Sequence, residues 1–240
     1  MTKSMRWLVF RPLQSFVLSW KGRGSQHMQI IDGISKIDSR DFISCEFKLQ
    51  RFDEMDLSQI RFENCIFHDC SFRGALLEDC TFSKCKTIKA DFSFSRLSDA
   101  RFSACNLSLT NWAGADVSGT KFHDCKLTGA DFKDARALGI DFNRSLLSGA
   151  FLRKMNFRKC HLDGVDFTDA DLAGCDFRDA TFDGCRLQNA HLASARFEGA
   201  DLRMADLGVL SFSTATCFKG AIISKNQATE LLHGLGVLVL

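Results

Sequence analysis

The sequence has no tyrosine and a single proline, Pro12. It has no strong excess of charge. The net value is +2 at pH 7, which leaves no broad electrostatic footprint for nucleic acid or a membrane surface, so neither is expected as a direct partner. No stretch reaches about 18 uninterrupted apolar residues, and no transmembrane helix is expected. Enzymatic signatures are missing too. The spacings HExxH, GxSxG, CxxC and the phosphate-binding loop do not occur. The histidines are His27, His68, His123, His161, His191 and His233, and they do not cluster. Acidic residues are numerous, yet they follow a regular register and form no isolated pair. No catalytic residue, cofactor or metal is expected, and an enzyme is the least favoured class.

What is present is a period of five. Stepping from Phe42 reaches Phe47, Phe52, Leu57, Phe62 and so on to Leu202, Leu207 and Phe212; of these 35 positions all but Thr87 and Ala137 carry Phe, Leu, Trp or Val. Two residues before each centre the side chain is usually small: Cys45, Cys65, Cys70, Ala75, Cys80, Cys85. Ten of the 11 cysteines sit in that small register, the exception being Cys217, and they alternate there with Ala, Ser, Thr and Val. They read as small buried hydrophobes rather than metal ligands or disulfides. So many reduced thiols fit a cytoplasmic protein.

Neither the helical period of 3.6 nor the strand period of 2 fits this pattern. An apolar centre every five residues faces one core only if the backbone turns a corner at each unit. Four units then close a coil of 20 residues. The expected fold is all-β, a square-sectioned solenoid of about nine coils, on the order of 40 Å long at the usual ladder spacing. The residue before each centre is often Asp or Asn, whose side chain can bond local backbone at the corner.

Two places depart from the pattern. Lys86 and Thr87 put charge and a hydroxyl where the repeat is otherwise regular. Farther on, Leu138, Leu146 and Phe151 place apolar side chains in outward positions around Ala137. Both places read either as loops or contact patches or as plain degeneracy of the repeat.

The ends divide off from the repeat. Residues 1–27 are expected to be a disordered extension or a segment preceding the natural start at Met28. Residues 28–39 are expected to cap the first coil, 40–218 to form the solenoid, and 219–240 to form a helix and a dimerisation tail. Ser224 and Gln227 have capping-box spacing. A short helix is expected over Ala228–His233, stopped by Gly234. Leu231, Leu232, Leu235, Val237, Leu238 and Leu240 make the tail apolar, to be buried on the last coil or on a second copy of the chain.

Charge is polarised along the repeat. Residues 40–160 carry 16 acids and 19 bases, whereas 161–212 carry 10 acids and four bases. Asp163, Asp166, Asp171, Asp176, Asp201 and Asp206 are the candidate partner-binding acidic face.

The units Ala115-Asp116-Val117, Ala130-Asp131-Phe132, Ala170-Asp171-Leu172 and Ala200-Asp201-Leu202 resemble the pentapeptide-repeat family. That resemblance implies a right-handed quadrilateral β-helix. Within the family, the run Ala100–Ala115 and the tail Leu231–Leu240 are similar to the Qnr and MfpA group, and the stretch from Met28 supports a start there. The group resemblance implies a homodimer through the C-terminus, mimicry of duplex DNA, binding to DNA gyrase or topoisomerase IV, and protection against quinolones or a related gyrase poison. A structural or effector scaffold with an unrelated partner, using the Leu138–Phe151 patch, is the alternative. Gram-negative Qnr proteins carry two loops important for protection. Here the five-residue phase runs unbroken from 42 to 212, so any loop must insert a multiple of five residues, near 84–90 or 136–156. Without both loops, binding to gyrase is compatible with weakened drug protection. The repeat as a whole is also less acidic than a DNA mimic implies, with 26 acids against 23 bases.

Overall fold

The computed structural model describes residues 29–31, 39–209, 216–234 and 236–238. Residues 1–27 and the positions Phe212, Leu235 and Leu240 lie outside the described residues.

Most five-residue units bury their centre and the small residue two before it, giving a repeating pattern of two buried and three outward positions, which loosens at Ala135 and Ala137. Two residues after each centre the backbone turns through the left-handed region. This holds at every unit from Ser44 (φ 53°) to Gly199 (φ 75°). Twenty-two of these 32 turn residues are not glycine, including Leu49, Phe94 and Leu109. An L-residue in that region costs roughly 1–2 kcal/mol, so hydrogen bonding and core packing must offset it repeatedly.

The hydrogen bonds account for the backbone of the unit. In the unit centred on Phe92, the centre N–H donates to Asn111 O in the next coil (2.7 Å) and the turn residue Phe94 donates to Ala113 O (3.0 Å). Ser95 N–H closes the corner onto Phe92 O at 3.3 Å. The N–H just after the centre has no carbonyl to meet. Asp91 accepts it instead, from Ser93 at 2.9 Å. The same cap recurs at Asp56, Asn111, Asp116, Asp131 and Asp166. This explains the Asp or Asn before the centre: a corner with one orphan donor selects a short side-chain acceptor.

Coils pair in parallel at a spacing of 20 residues. On the first side, β2 (Asp41–Ile43), β4 (Arg61–Glu63), β6 (Thr81–Ser83), β7 (Arg101–Ser103) and β8 (Lys121–His123) form one sheet. Its register is Asp41↔Arg61↔Thr81↔Arg101↔Lys121. The second side begins with β1 (Gln29–Ile31), β3 (Cys45–Lys48) and β5 (Ile66–His68). β9 (His161–Asp163), β10 (Thr181–Arg186) and β11 (Asp201–Asp206) form the last sheet. Isolated parallel bridges continue the remaining ladders. The result is a parallel β-solenoid of about eight turns, with one C-terminal helix.

The interior is a stack of rings. Phe52, Phe72, Phe92 and Trp112 lie parallel on the third side, with centroids 4.8, 4.6 and 4.3 Å apart. Rings of the first side meet them edge-on, as Phe102 meets Trp112 at 89°. Both arrangements suit the ring quadrupole.

Two expectations need correction. No loop interrupts the coil at 84–90: Lys86 bridges Ile66 and Asn106, and Thr87 is fully buried in the core column, not a contact residue. No loop interrupts 136–156 either. There the ladder slackens instead, since among the described residues no bridge joins Arg136 to Asn156 or Asp141 to His161. Ala137 supplies little core volume at this point, and one coil on, ahead of Phe157, the small register holds the bulkier, buried Met155. Beyond residue 212, where the expected phase ends, Asp201 bridges Ile222, a step of 21.

The helix α1 spans Lys225–Gly234, three residues earlier than expected. The capping box forms as the spacing indicated: Ser224 N–H donates to Gln227 Oε1 (2.7 Å) and Gln227 N–H to Ser224 Oγ (3.2 Å). Gly234 is the last helical residue, but the left-handed turn that closes the helix is not made there. Gly236 makes it, at φ 76°, with Gly236 N–H on His233 O and Val237 N–H on Leu232 O, both 2.9 Å.

Candidate partner-binding surface

The square section assigns each candidate residue to a side. Asp163 and Asp201 lie on the first, Asp166 and Asp206 on the second, Asp171 on the third and Asp176 on the fourth. They do not form one acidic face. They form a girdle around the C-terminal coils, which corrects the expectation of a single face. The reason is the register: an acid that caps each corner must recur on every side.

Most of these carboxylates are engaged. Asp166, Asp171, Asp176, Asp201 and Asp206 each accept the orphan N–H of their own corner. Asp176 also holds Arg178 through Nε at 2.8 Å and Nη2 at 2.5 Å, and the same fork joins Arg203 to Asp201 at 2.9 and 2.6 Å. Asp171 meets Arg153 Nε at 2.5 Å and lies 3.1 Å from His191 Nδ1. Asp166 lies 3.4 Å from Arg186, and Asp206 accepts from Gln188 Nε2 at 2.8 Å. Asp163 has only a long contact to Arg144, 3.6 Å.

The pairings shift three of these acids, Asp171, Asp176 and Asp201. The Arg178 fork lowers the Asp176 carboxyl to about 2, and Arg203 lowers Asp201 in the same direction. Burial raises Asp171, yet Arg153, the Ala173 N–H and His191 together pull it below the ordinary carboxylate range. These three therefore stay ionised, while neighbouring guanidinium groups offset part of their field. The spacing Asp-x-Arg at 176–178 and 201–203 was a readable signal of this pairing that charge counting passes over.

The apolar candidates do not converge. Leu138, Leu146 and Phe151 are all exposed, but they lie on the fourth, second and third sides. Phe151 stands alone in a shallow hollow of about 480 Å³ on the third side, among Asp131, Lys133, Arg153 and Asp171. Lys86 is exposed on the second side.

At the C-terminal end, Leu231 packs partly against the core, and Leu232, Val237 and Leu238 are exposed. Leu235 and Leu240 lie outside the described residues. Sequence reading missed that Met204, Val209 and Ile222 are exposed in the same closing region. It also missed the second role of Gln227. The buried Nε2 donates to Leu202 O at 2.8 Å and Ala205 O at 2.7 Å, so the helix cap also covers the open edge of the final coil.

Three histidines, His68, His123 and His191, are tied to carboxylates about one coil away. His68 lies 3.0 Å from Glu46 and His123 2.7 Å from Asp141. Among the described residues no group of three or more His, Cys, Asp or Glu side chains could hold a metal ion, and no helix is long and apolar enough to cross a membrane.

Comparison with known proteins adds the following. A family model described as a pentapeptide repeat region matches residues 55–132 and 75–152. A second, pentapeptide repeats in eight copies, matches 139–174 and 170–208. Three solved structures of QnrB1, a plasmid-mediated fluoroquinolone resistance protein, are similar. Two trypsin-treated variants share 25% and 26% identity at a TM-score of 0.72, covering 83% and 82% of this chain and 100% and 99% of theirs. The full-length form shares 24% at a TM-score of 0.73, over 82% of this chain and 100% of its own. No curated protein sequence matches the chain.

Proposed function

The chain belongs to the pentapeptide-repeat family, and from that premise we propose that it is a non-enzymatic binding protein of a type II topoisomerase, DNA gyrase or topoisomerase IV, and a quinolone-resistance factor. The observation that carries this reading is the likeness to a fluoroquinolone resistance protein over the whole of that protein's length.

The C-terminal coils suit the partner. A duplex presents charge all round, and the acidic girdle reaches all four sides of the rod. The exposed Leu232, Val237 and Leu238 supply an apolar end for a two-fold contact with a second copy. A homodimer joined there sets two acidic regions together at its centre. Such a protein acts in the cytoplasm, where its target works.

The uninterrupted coil tempers the expected strength. Loops link the resembled group to drug protection, and none occurs within residues 39–209. We therefore expect binding to gyrase with protection weaker than a looped relative gives. The test is DNA supercoiling by purified gyrase with and without a fluoroquinolone, with added protein. Rescue of supercoiling is expected. A protein that neither binds gyrase nor alters supercoiling, with a quinolone or another gyrase poison, defeats the proposal. The alternative scaffold reading loses support, since Leu138, Leu146 and Phe151 share no side. Deleting residues 228–240 separates the two readings: topoisomerase binding through a dimer is lost with the tail, and a side-bound partner is not.

A further inference from the structure

The net charge conceals a local concentration of bases. Register places Lys84, Arg101 and Lys121 on the first side and Lys86, Lys89 and Lys126 on the adjoining second side, within three successive coils. All six are exposed. Arg101 and Lys121 are direct partners in the parallel ladder, and Lys86 and Lys126 flank Asn106 in the other. No ion pair among the described residues involves any of them. Elsewhere arginines are commonly forked onto corner aspartates, as at Arg178 and Arg203. Here the corner acceptor is not acidic, for example Asn106. The one acid within these coil faces, Asp124, is already held by Arg144 at 2.8 and 3.1 Å.

We propose that this two-sided basic patch binds the phosphate backbone of duplex nucleic acid directly. Successive coils are roughly 4.8 Å apart, so the six bases spread over roughly 10 Å of the rod, a length over which a duplex carries several phosphates. The patch contains no exposed aromatic side chain. Phe82, Phe102 and Phe122 beneath it are buried, and the exposed Phe94 and Phe151 belong to the third side. A surface without stacking platforms suits backbone contact with a duplex rather than capture of splayed single-stranded bases. Farther along the same two sides the charge reverses, at Asp163, Asp166, Asp169 and Asp183. The duplex therefore crosses the rod at these coils and does not lie along it. Binding is independent of sequence.

This inference does not rest on topoisomerase binding, and its test contains no topoisomerase. Fluorescence anisotropy with a labelled 20-base-pair duplex is the assay. Affinity is expected to fall with added salt, with a log–log slope of roughly −3 to −4 for about four engaged phosphates. The triple variant Lys86→Glu, Arg101→Glu, Lys121→Glu is expected to weaken binding more than about tenfold at low salt. A control triple on the other two sides, Lys133→Glu, Lys154→Glu, Lys159→Glu, carries the same change of charge and is expected to bind as the parent does. Matching thermal midpoints for both triples guard against misfolding, and the graded triple Lys86→Gln, Arg101→Gln, Lys121→Gln gives an intermediate loss. Absence of duplex binding at low salt overturns the proposal, as does equal loss in both triples. So does tighter binding of an acidic polypeptide than of the duplex. Self-association that the patch reversal disperses, with no duplex bound, assigns the patch to a second copy of the chain and overturns it too.

Discussion

Thr87 stands in the core column of the second side between Phe67 and Leu107, fully buried, and among the described residues its Oγ1 has no hydrogen-bond partner. A buried hydroxyl without a partner carries its desolvation cost unrelieved. Thr87→Val keeps the shape and removes that oxygen, and is expected to raise stability by about 1 kcal/mol, read as a later midpoint in urea. Trp112 shows the opposite case. Its Nε1–H donates to Thr110 Oγ1 at 2.7 Å, and Thr110 donates on to Leu107 O at 2.6 Å, so the largest buried side chain leaves no polar atom idle. Asp176 allows a pH test. Its folded pKa of about 2 lies below the ordinary 3.8, so its contribution is complete above about pH 4 and is lost as pH falls toward 2. Asp176→Asn retains an oxygen for the Arg178 N–H. It is expected to flatten the acid limb of the thermal-midpoint profile in that window.

At the scale of elements, the corner repeats one solution many times, and the end of the solenoid requires another. A last coil exposes carbonyls with no coil above them. Gln227 answers with one side chain: its Oε1 accepts at the helix start while its Nε2 covers Leu202 O and Ala205 O. Gln227→Ala removes both functions and is expected to cost about 1–3 kcal/mol. Hydrogen exchange locates the effect: protection is expected to fall first in β11 and α1, with the coils around Trp112 unchanged. Uniform loss along the rod contradicts this role. The spacing Ser224-x-x-Gln227 announced the cap, because capping is local in sequence. The carbonyls that Gln227 covers lie more than 20 residues away and no local pattern encodes them.

Over the whole molecule, the cysteines behave as core. Cys45, Cys65, Cys85, Cys105 and Cys125 form one buried column on the second side. Burial pushes the thiols of Cys80 and Cys175 up to about 12 from the ordinary 9.0. Their raised values stabilise the fold below about pH 9, and that contribution is lost as pH climbs toward 12, because the unfolded thiols ionise first. Alkaline unfolding is expected to begin well before lysine deprotonates. At pH near 8 a thiol reagent is expected to label half-buried Cys160 far faster than Cys80 or Cys175. Equal labelling of all three in the folded protein contradicts the packing described.

A strict period is a statement about one unit repeated, and periodicity alone determined the sides of this protein, its core columns, the cysteine assignment and the parallel register. Those properties follow from which residues face inward, and inward-facing residues differ in kind from outward ones. The tertiary structure decided what periodicity cannot express. It forked several corner aspartates onto arginines and carried the coil without a loop through 84–90 and 136–156. It also gathered six unpaired bases on two adjoining sides of a chain whose net charge is only +2. Each depends on neighbours one coil away, 20 residues distant in the chain yet roughly 4.8 Å apart in space. Charge counted along the chain averages over all four sides, whereas a partner meets one or two.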